Sequence, residues 1–477
     1  MEEAEKENEK EKENDILLQD YLNWKKHFIN ITSVLGVKFN KNDTSKFVKI
    51  LKPYKNPYKN LNPIKHSKDS NDNIYLTKFT FEEKNALIVI LKTESKYSIV
   101  EEQLTLNEKN YTYEEIFKLF IEEEIKNKKL VEDESSLNDL LKSLPNGFEI
   151  VGKIAHMNLR DQYLKYKYFI GQLILDKNPS LSTVINKVGK IDNIYRTYEM
   201  EILAGEKNYN VDHKEGNIRF QFDLRKTYWC SRLQNERDRI LKLIEKNEVL
   251  CDAFCGVGPL ALRACKKGAK VYANDLNPDA YEYLNNNIKL NKLNKNNFVI
   301  KTYNMDAREF IKGLVNMSKY NKDEDEDNGD NIFPNDLHIN HFYMNLPKDA
   351  IEFLDVFIGL FKGCKEDIYN KNNLPIIHVY GFAKTDNNPH EILKKRIAKA
   401  FKMEYELFIK ECEKDIINIQ NVRDISNRKV VYCIDMKIPA IIAYQDYEFY
   451  DYKDDENKED DEDNDEKDKD DEDDDEK

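Results

Sequence analysis

The sequence has no C-x-x-C pair, no apolar run of 18 residues and no internal repeat. Its seven cysteines, at positions 230, 251, 255, 265, 364, 412 and 433, are scattered along the chain. Such spacing offers neither a thiolate metal cluster nor a redox dithiol, and no metal site is expected. Several of these cysteines lie in apolar stretches, so buried free thiols in a reducing compartment are expected. The lack of a long apolar run leaves no candidate for a membrane-spanning helix. Residues 1–15 are rich in Glu and Lys and lack Arg and Ser, unlike a signal or transit peptide.

What is present is charge, unevenly placed. The formal net charge is −14. Residues 451–477 hold 19 acidic and 5 basic residues, residues 1–15 hold 8 and 3, and residues 322–330 hold 6 and 1. Setting these tracts aside leaves a body of net charge +10, which suits a polyanionic partner. The acidic tracts carry too little apolar surface to fold and are expected to be disordered and solvated.

With 477 residues, two or three domains are expected. The pattern suggests an N-terminal domain over residues 16–130 and a small α+β module over 131–230. A larger α/β domain over 231–450 follows, interrupted by a low-complexity insertion at 318–335, with an acidic tail at 451–477. The first domain is expected to hold a helix from Ile16 to Phe28, a strand at Ala86–Leu91 and a helix from Tyr113 to Lys128. Strands are expected near Phe148, Thr183, Met200 and Ile218, with a helix from Leu159 to Asp176 and another from Ser231 to Lys246.

The densest signal starts at Val249. An apolar strand ends in Asp252, turns through Phe254, Gly256 and Gly258, and opens a helix near Pro259. A second strand, Ala269-Lys-Val-Tyr-Ala, ends at Asp275 and Leu276. This is the first half of a nucleotide-binding α/β sheet, with glycines where a ligand must approach the backbone closely. A carboxylate about 20 residues on suits a ribose diol. The dinucleotide fingerprint is incomplete because Ala261 takes the third glycine's place, which argues against a nicotinamide-dependent dehydrogenase. A third strand precedes Asp306 and Ala307, and a fourth closes on Asn345-Leu-Pro. Asp252, Asp275, Asp306 and Asn345 thus fall at successive strand ends, where open α/β sheets bind ligands.

That order resembles class I S-adenosylmethionine-dependent methyltransferases, with a Rossmann-like catalytic domain. Other segments narrow the resemblance. They are Pro145-Asn-Gly-Phe-Glu-Ile-Val-Gly-Lys-Ile-Ala-His-Met-Asn-Leu-Arg160, Tyr195-Arg-Thr-Tyr-Glu-Met-Glu-Ile-Leu-Ala-Gly205 and Tyr228-Trp-Cys-Ser-Arg-Leu-Gln-Asn-Glu-Arg237. Together they resemble the archaeal and eukaryotic tRNA (guanine-N1)-methyltransferases that modify position 37, over about 145–439. The sequence departs from that family's usual residues at Cys230, Arg237, Cys255 and Ile425-Ser426, none of which removes a proposed catalytic side chain.

The resemblance implies S-adenosyl-L-methionine as cofactor, a tRNA carrying G37 as partner, and a monomer. It implies a cytoplasmic enzyme with possible nuclear and mitochondrial pools, and a tRNA-body contact for residues 16–130. N1 of guanine carries a proton, so methylation needs a base for N1–H and a donor for charge developing on O6. By resemblance Glu236 is the base, Arg196 the O6 partner, and Asn345 holds the guanine edge beside the cofactor. Tyr228 and Arg232 would stack on or clamp anticodon-loop nucleotides around a flipped base. Asp275 with Leu276 would hold ribose and adenine, and Asp306 with Ala307 the adenine amine. The Asp252, Phe254, Gly256, Gly258 turn would pass the methionine portion, whose carboxylate Arg237 would reach. Without the resemblance, Glu236 reads first as an ordinary carboxylate stabilising a helix N-terminus. Action on another RNA base or a wyosine precursor, or silent RNA binding, are the competing readings.

Overall fold

A computed structural model describes residues 2–66, 71–127, 134–145, 147–188, 195, 197–295, 298–316, 337–385, 388–426 and 429–449. Arg196, the 318–335 insertion and the 451–477 tail lie outside the described residues. The chain divides into two compact units. The first comprises residues 1–146, 159–185 and 202–206, and the second residues 147–158, 186–201 and 207–477.

The first unit is built on an antiparallel sheet in the order Ile64–His66, Asp72–Leu76, Asn30–Asn40, Tyr97–Leu106. One side of its core is Phe39 stacked on Phe47 at 4.5 Å, with Leu51, Tyr75 and Leu87 around them. The expected strand at 86–91 is instead a helix, Lys84–Ile90. Only Leu87 and Leu91 of that stretch are buried, one helical turn apart, while Ile88 and Val89 face solvent. Their β-branched propensity yields to the i, i+4 burial pattern. The N-terminal helix spans Glu2–His27 and the next long one Tyr113–Lys126, the latter started by a Thr112–Glu115 capping box. Tyr21 packs at 4.7 Å from Phe169 and 5.4 Å from Phe120, and its hydroxyl bonds Asp176 at 3.0 Å.

The second unit carries a seven-stranded sheet. Its order is Val299–Tyr303, Lys270–Asn274, Val249–Asp252, His341–Met344, Ile376–Lys384, Lys429–Lys437, Ile416–Ser426. The first five strands run parallel and the last two antiparallel to their neighbours. This is a Rossmann-like sheet. Its central strands read as continuous apolar runs because both faces are covered. Phe342 on one face is fully buried, worth about 1.5–3 kcal/mol by transfer. Strand order reverses beside Val249–Asp252, since the second strand lies on one side and the fourth on the other. Crevices open at such a switch point. Asp252 and Asn345 stand at the two lips.

Local chemistry fixes the connecting helices. Asn277 caps the helix Pro278–Leu290 by accepting from the Asp279 N–H at 3.0 Å, with Pro278 in its first turn. A hairpin, Asn210–Glu215 and Ile218–Asp223, is tied to that helix. Asn287 accepts from the Gln221 N–H at 2.8 Å and Asn291 from the Arg219 N–H at 2.9 Å. The helix expected from Ser231 begins as a 3-10 turn, Ser231–Leu233, and continues as Gln234–Leu243.

Candidate active site

The glycine turn after Val249–Asp252 is shaped for a ligand. Gly256 has φ +54° and Gly258 φ +87°, conformations that L side chains rarely adopt. A Cβ on Gly258 would lie 2.6 Å from Leu284 Cδ1, so that glycine serves packing. A Cβ on Gly256 would meet nothing within 4 Å, so there the backbone borders open space. Phe254 sits between, edge-on to Phe353 at 5.1 Å.

Two carboxylates converge on this turn. Asp275 accepts from the Gly256 N–H at 2.7 Å through one oxygen and from the Asn277 N–H at 2.9 Å through the other. Burial raises its carboxyl above the ordinary range, partly offset by those two bonds. Asp252 is 1% exposed, and its Oδ1 has no hydrogen-bond partner. Burial, then the neighbouring Asp275 charge, push its carboxyl well above the ordinary range. A buried anion beside a second anion calls for a cation. The next strand ends are tied together, because Asn304 Nδ2 donates to the carbonyls of Asp275 and Leu276 at 2.8 and 3.0 Å. Leu276 stands 42% exposed beside them, an apolar surface for a flat ring. Asp306 caps the helix Ala307–Asn316 through Oδ1, which accepts from the Arg308 N–H at 2.8 Å, and Ala307 is buried.

At the opposite lip a chain of hydroxyls begins. Asn345 Nδ2 donates to the Tyr343 hydroxyl at 3.0 Å. The Tyr380 ring stands edge-on to Tyr343 at 5.4 Å. The Tyr380 hydroxyl donates to Glu236 Oε1 at 2.7 Å. Burial raises both phenols far above their ordinary range, so they stay protonated and can donate. Glu236, 7% exposed in the first turn of Gln234–Leu243, also takes both arms of Arg239, Nε to Oε2 and Nη2 to Oε1, each at 2.8 Å. A carboxylate has about four acceptor positions, so three bonds leave about one. Asn345 and Glu236 therefore each bond one of two buried tyrosines that pack edge-on against each other and that no sequence motif marked.

Arg237, on the same helix as Glu236, is held by partners within the chain. It is 3% exposed and closes a bidentate ion pair on Glu215, with Nε to Oε1 at 2.8 Å, while Nη1 donates to the Cys230 carbonyl at 3.2 Å. The Trp229 ring covers it at 5.3 Å, and Arg263 joins Glu215 at 2.9 Å. Its guanidinium thus fastens the Asn210–Glu215 strand to the helix.

A third feature is a small open pocket whose lining includes Tyr198, Tyr228, Trp229, Lys187 and His156. Tyr228 is 45% exposed, and Lys187 Nζ lies 4.5 Å above the Tyr198 ring. Burial pulls the Lys187 ammonium below the usual lysine range, and burial with Lys187 brings His156 down to about 4. Arg232, exposed, adds positive charge to both neighbours. Aromatic faces and cations together suit an unstacked base and its phosphates. Tyr198 lies within the Tyr195–Gly205 segment quoted above and Lys187 on the strand Thr183–Val188, but neither was singled out as a site residue from the sequence. Arg196 lies outside the described residues. Among the described residues, no group of His, Cys, Asp or Glu could hold a metal ion, and no helix is long and apolar enough to cross a membrane.

Comparison with known proteins agrees with this geometry. Residues 211–408 match the TRM5/TYW2 methyltransferase domain, and residues 128–208 the TYW2 N-terminal domain. The chain is 37% identical over 379 residues to a tRNA (guanine(37)-N(1))-methyltransferase of Candida albicans, covering 72% of this chain and 82% of that protein. To the protein of the same name from Schizosaccharomyces pombe it is 40% identical over 318 residues, covering 63% and 70%. In three dimensions it is similar to Trm5b from Pyrococcus abyssi, with 26% identity and a TM-score of 0.56 over 85% of this chain and 99% of that one.

Proposed function

The chain belongs to the family of tRNA (guanine(37)-N(1))-methyltransferases, and on that premise we propose how its residues divide the methylation of guanosine 37 at N1. When bound, S-adenosyl-L-methionine supplies an electrophilic methyl group on a positively charged sulfur. The residues around the glycine turn fit it. Asp275 has acceptor capacity for a ribose diol, and Leu276 and Ala307 offer apolar surface to adenine, with Asp306 beside them for its amine. The orphaned Oδ1 of Asp252 suits the cationic end of the methionine portion. Gly256, with Phe254 alongside, leaves the approach open.

On the substrate side, Tyr228, with Lys187 and Arg232, receives the flipped base and its flanking phosphates. Extrusion of the base costs a few kcal/mol, which stacking recovers at about 1–3 kcal/mol per base. Asn345 holds the guanine edge at the lip of the crevice. Glu236 takes the N1 proton on its remaining acceptor position, which leaves the N1 lone pair free to accept the methyl group. Arg196 is assigned to O6 from the sequence resemblance alone. The observation that carries this reading is the pair of packed tyrosines between the two groups: Tyr343 accepts from Asn345, Tyr380 donates to Glu236, and the two rings stand edge-on at 5.4 Å.

The test is transfer of label from S-adenosylmethionine to tRNA transcripts bearing G37 or A37, followed by nucleoside digestion. Label in 1-methylguanosine, from the G37 transcript only, supports the reading, and equal labelling of the A37 transcript refutes it. Because the matching domain is described as TRM5/TYW2, the digest is also scored for any other product. Action on another base or a wyosine precursor would show there.

A further inference from the structure

We infer that Arg239 is the positioning residue for Glu236, and that Arg239 is itself set in place by a buried carboxylate–histidine chain that ends at Glu248. This deepens the assignment of Glu236 as the base and rests on it. Arg239 lies three residues beyond Glu236 on the helix Gln234–Leu243 and grips both carboxylate oxygens at 2.8 Å. Its other arm reaches Asp435 on the strand Lys429–Lys437, with Nη1 to Oδ2 at 2.6 Å and Nη2 to Oδ1 at 3.3 Å. A planar guanidinium held by two carboxylates cannot turn without breaking both pairs, so it fixes the plane as well as the charge of Glu236.

The chain continues behind Asp435. His378 Nδ1 is 2.6 Å from Asp435 Oδ1, and His378 Nε2 is 3.1 Å from His341 Nδ1. His341 Nε2 is 3.1 Å from Glu248, whose side chain is 29% exposed. The two rings thus form a line of contacts from Glu248 to Asp435 that braces the Asp435 carboxylate behind Arg239. Arginine does not give up its proton in proteins, so this line supports charge and geometry and is no proton wire. The charged and titratable groups that face Glu236 are Arg239 on its own helix, Tyr380 on Ile376–Lys384, and Asp435 and Cys433 on Lys429–Lys437, with Tyr343 one hydroxyl further.

The experiment is single-turnover methylation by the full chain at saturating G37 transcript and S-adenosylmethionine, followed across pH. Arg239→Met should lower the rate about 10–100-fold, the scale of a misplaced catalytic group. Binding of tRNA and cofactor should stay within about twofold of the parent. The ascending limb of its rate–pH profile should no longer coincide with the parent's, because the cation that faces the carboxylate is gone. Arg239→Lys should restore the limb and only part of the rate, since it returns the charge without the fork. If Arg239→Met fails to fold, the paired variant Arg239→Met with Asp435→Asn removes a buried cation and anion together and is read in the same way. A folded Arg239 variant with the parent's rate and profile, or one whose loss lies wholly in binding or stability, overturns the inference. Glu236→Gln is run alongside. If it abolishes the limb while Arg239 variants behave as parent, only the positioning role falls. If it leaves rate and limb intact, the base assignment falls with it.

Discussion

Replacing Asp252 by Asn should move stability and cofactor affinity in opposite directions. Asp252 is 1% exposed, one oxygen lacks any partner, and Asp275 lies close enough to raise its carboxyl further. Because the folded-state value is raised, the native protein binds more protons than the unfolded chain in the window above the ordinary carboxylate range. Stability from this group is therefore present at low pH and lost as pH rises through that window. At pH 7 the empty protein carries the cost of an unsatisfied buried polar group, about 1–3 kcal/mol. Asparagine removes the charge at nearly constant volume, so the empty variant should melt higher, by about 2–4 °C for each kcal/mol recovered. The cofactor should bind less well. Loss of a hydrogen bond to a charged group costs about 1.5–3 kcal/mol, or about 10–150-fold in affinity. Calorimetric titration with S-adenosylmethionine and thermal melts with and without it read both quantities. An empty variant no more stable than the parent, with unchanged affinity, would refute the reasoning.

Other substitutions separate the remaining parts. Asp275→Ala should weaken S-adenosylmethionine binding by about 1–3 kcal/mol and leave tRNA affinity alone, as calorimetry would show. Deleting residues 451–477, net charge −14, should leave turnover intact and tighten tRNA binding at low salt; a large fall in single-turnover rate would contradict this. Burial pushes the Asp435 carboxyl up, but bonds from His378 and Arg239 bring it down to about 2. Its stabilisation is thus present above the ordinary aspartate value and lost as pH falls through about 2. Asp435→Asn should erase about 2 kcal/mol of the difference in urea stability between pH 5 and pH 2. Equal pH dependence in the two proteins would exclude that ion pair as a source of stability.

The parts of this site that could be read from the sequence are those encoded locally. Asp252, Asp275, Asp306 and Asn345 each follow an apolar strand, so their positions at the sheet's edge follow from strand and turn chemistry alone. The strand expected at 86–91 failed because β-branched content was weighed above burial spacing, and two buried leucines four apart suit a helix. The network around Glu236 is non-local. Tyr380 lies 144 residues from Glu236, and Asp435 lies 196 from Arg239. No periodicity links such positions. One clue was available, since Asp435 interrupts the apolar run Val430–Met436, and a carboxylate buried there must be paired. The Arg237 ion pair was equally hidden, since Glu236 faces Tyr380 while Arg237, one residue on, pairs with Glu215 on a distant strand.

The account turns on Glu236 as the group that takes the guanine N1 proton. Glu236→Gln keeps the size of the side chain and its acceptor toward Tyr380, yet cannot accept that proton. Single-turnover methylation of a G37 transcript, measured from about pH 5 to 9, is the direct measurement. The parent rate should climb with pH and level off, while the variant should be about 10²–10⁴-fold slower with no ascending limb and unchanged tRNA and cofactor binding. A variant that methylates G37 at near the parent rate with the parent's pH profile would place the base elsewhere and contradict the mechanism.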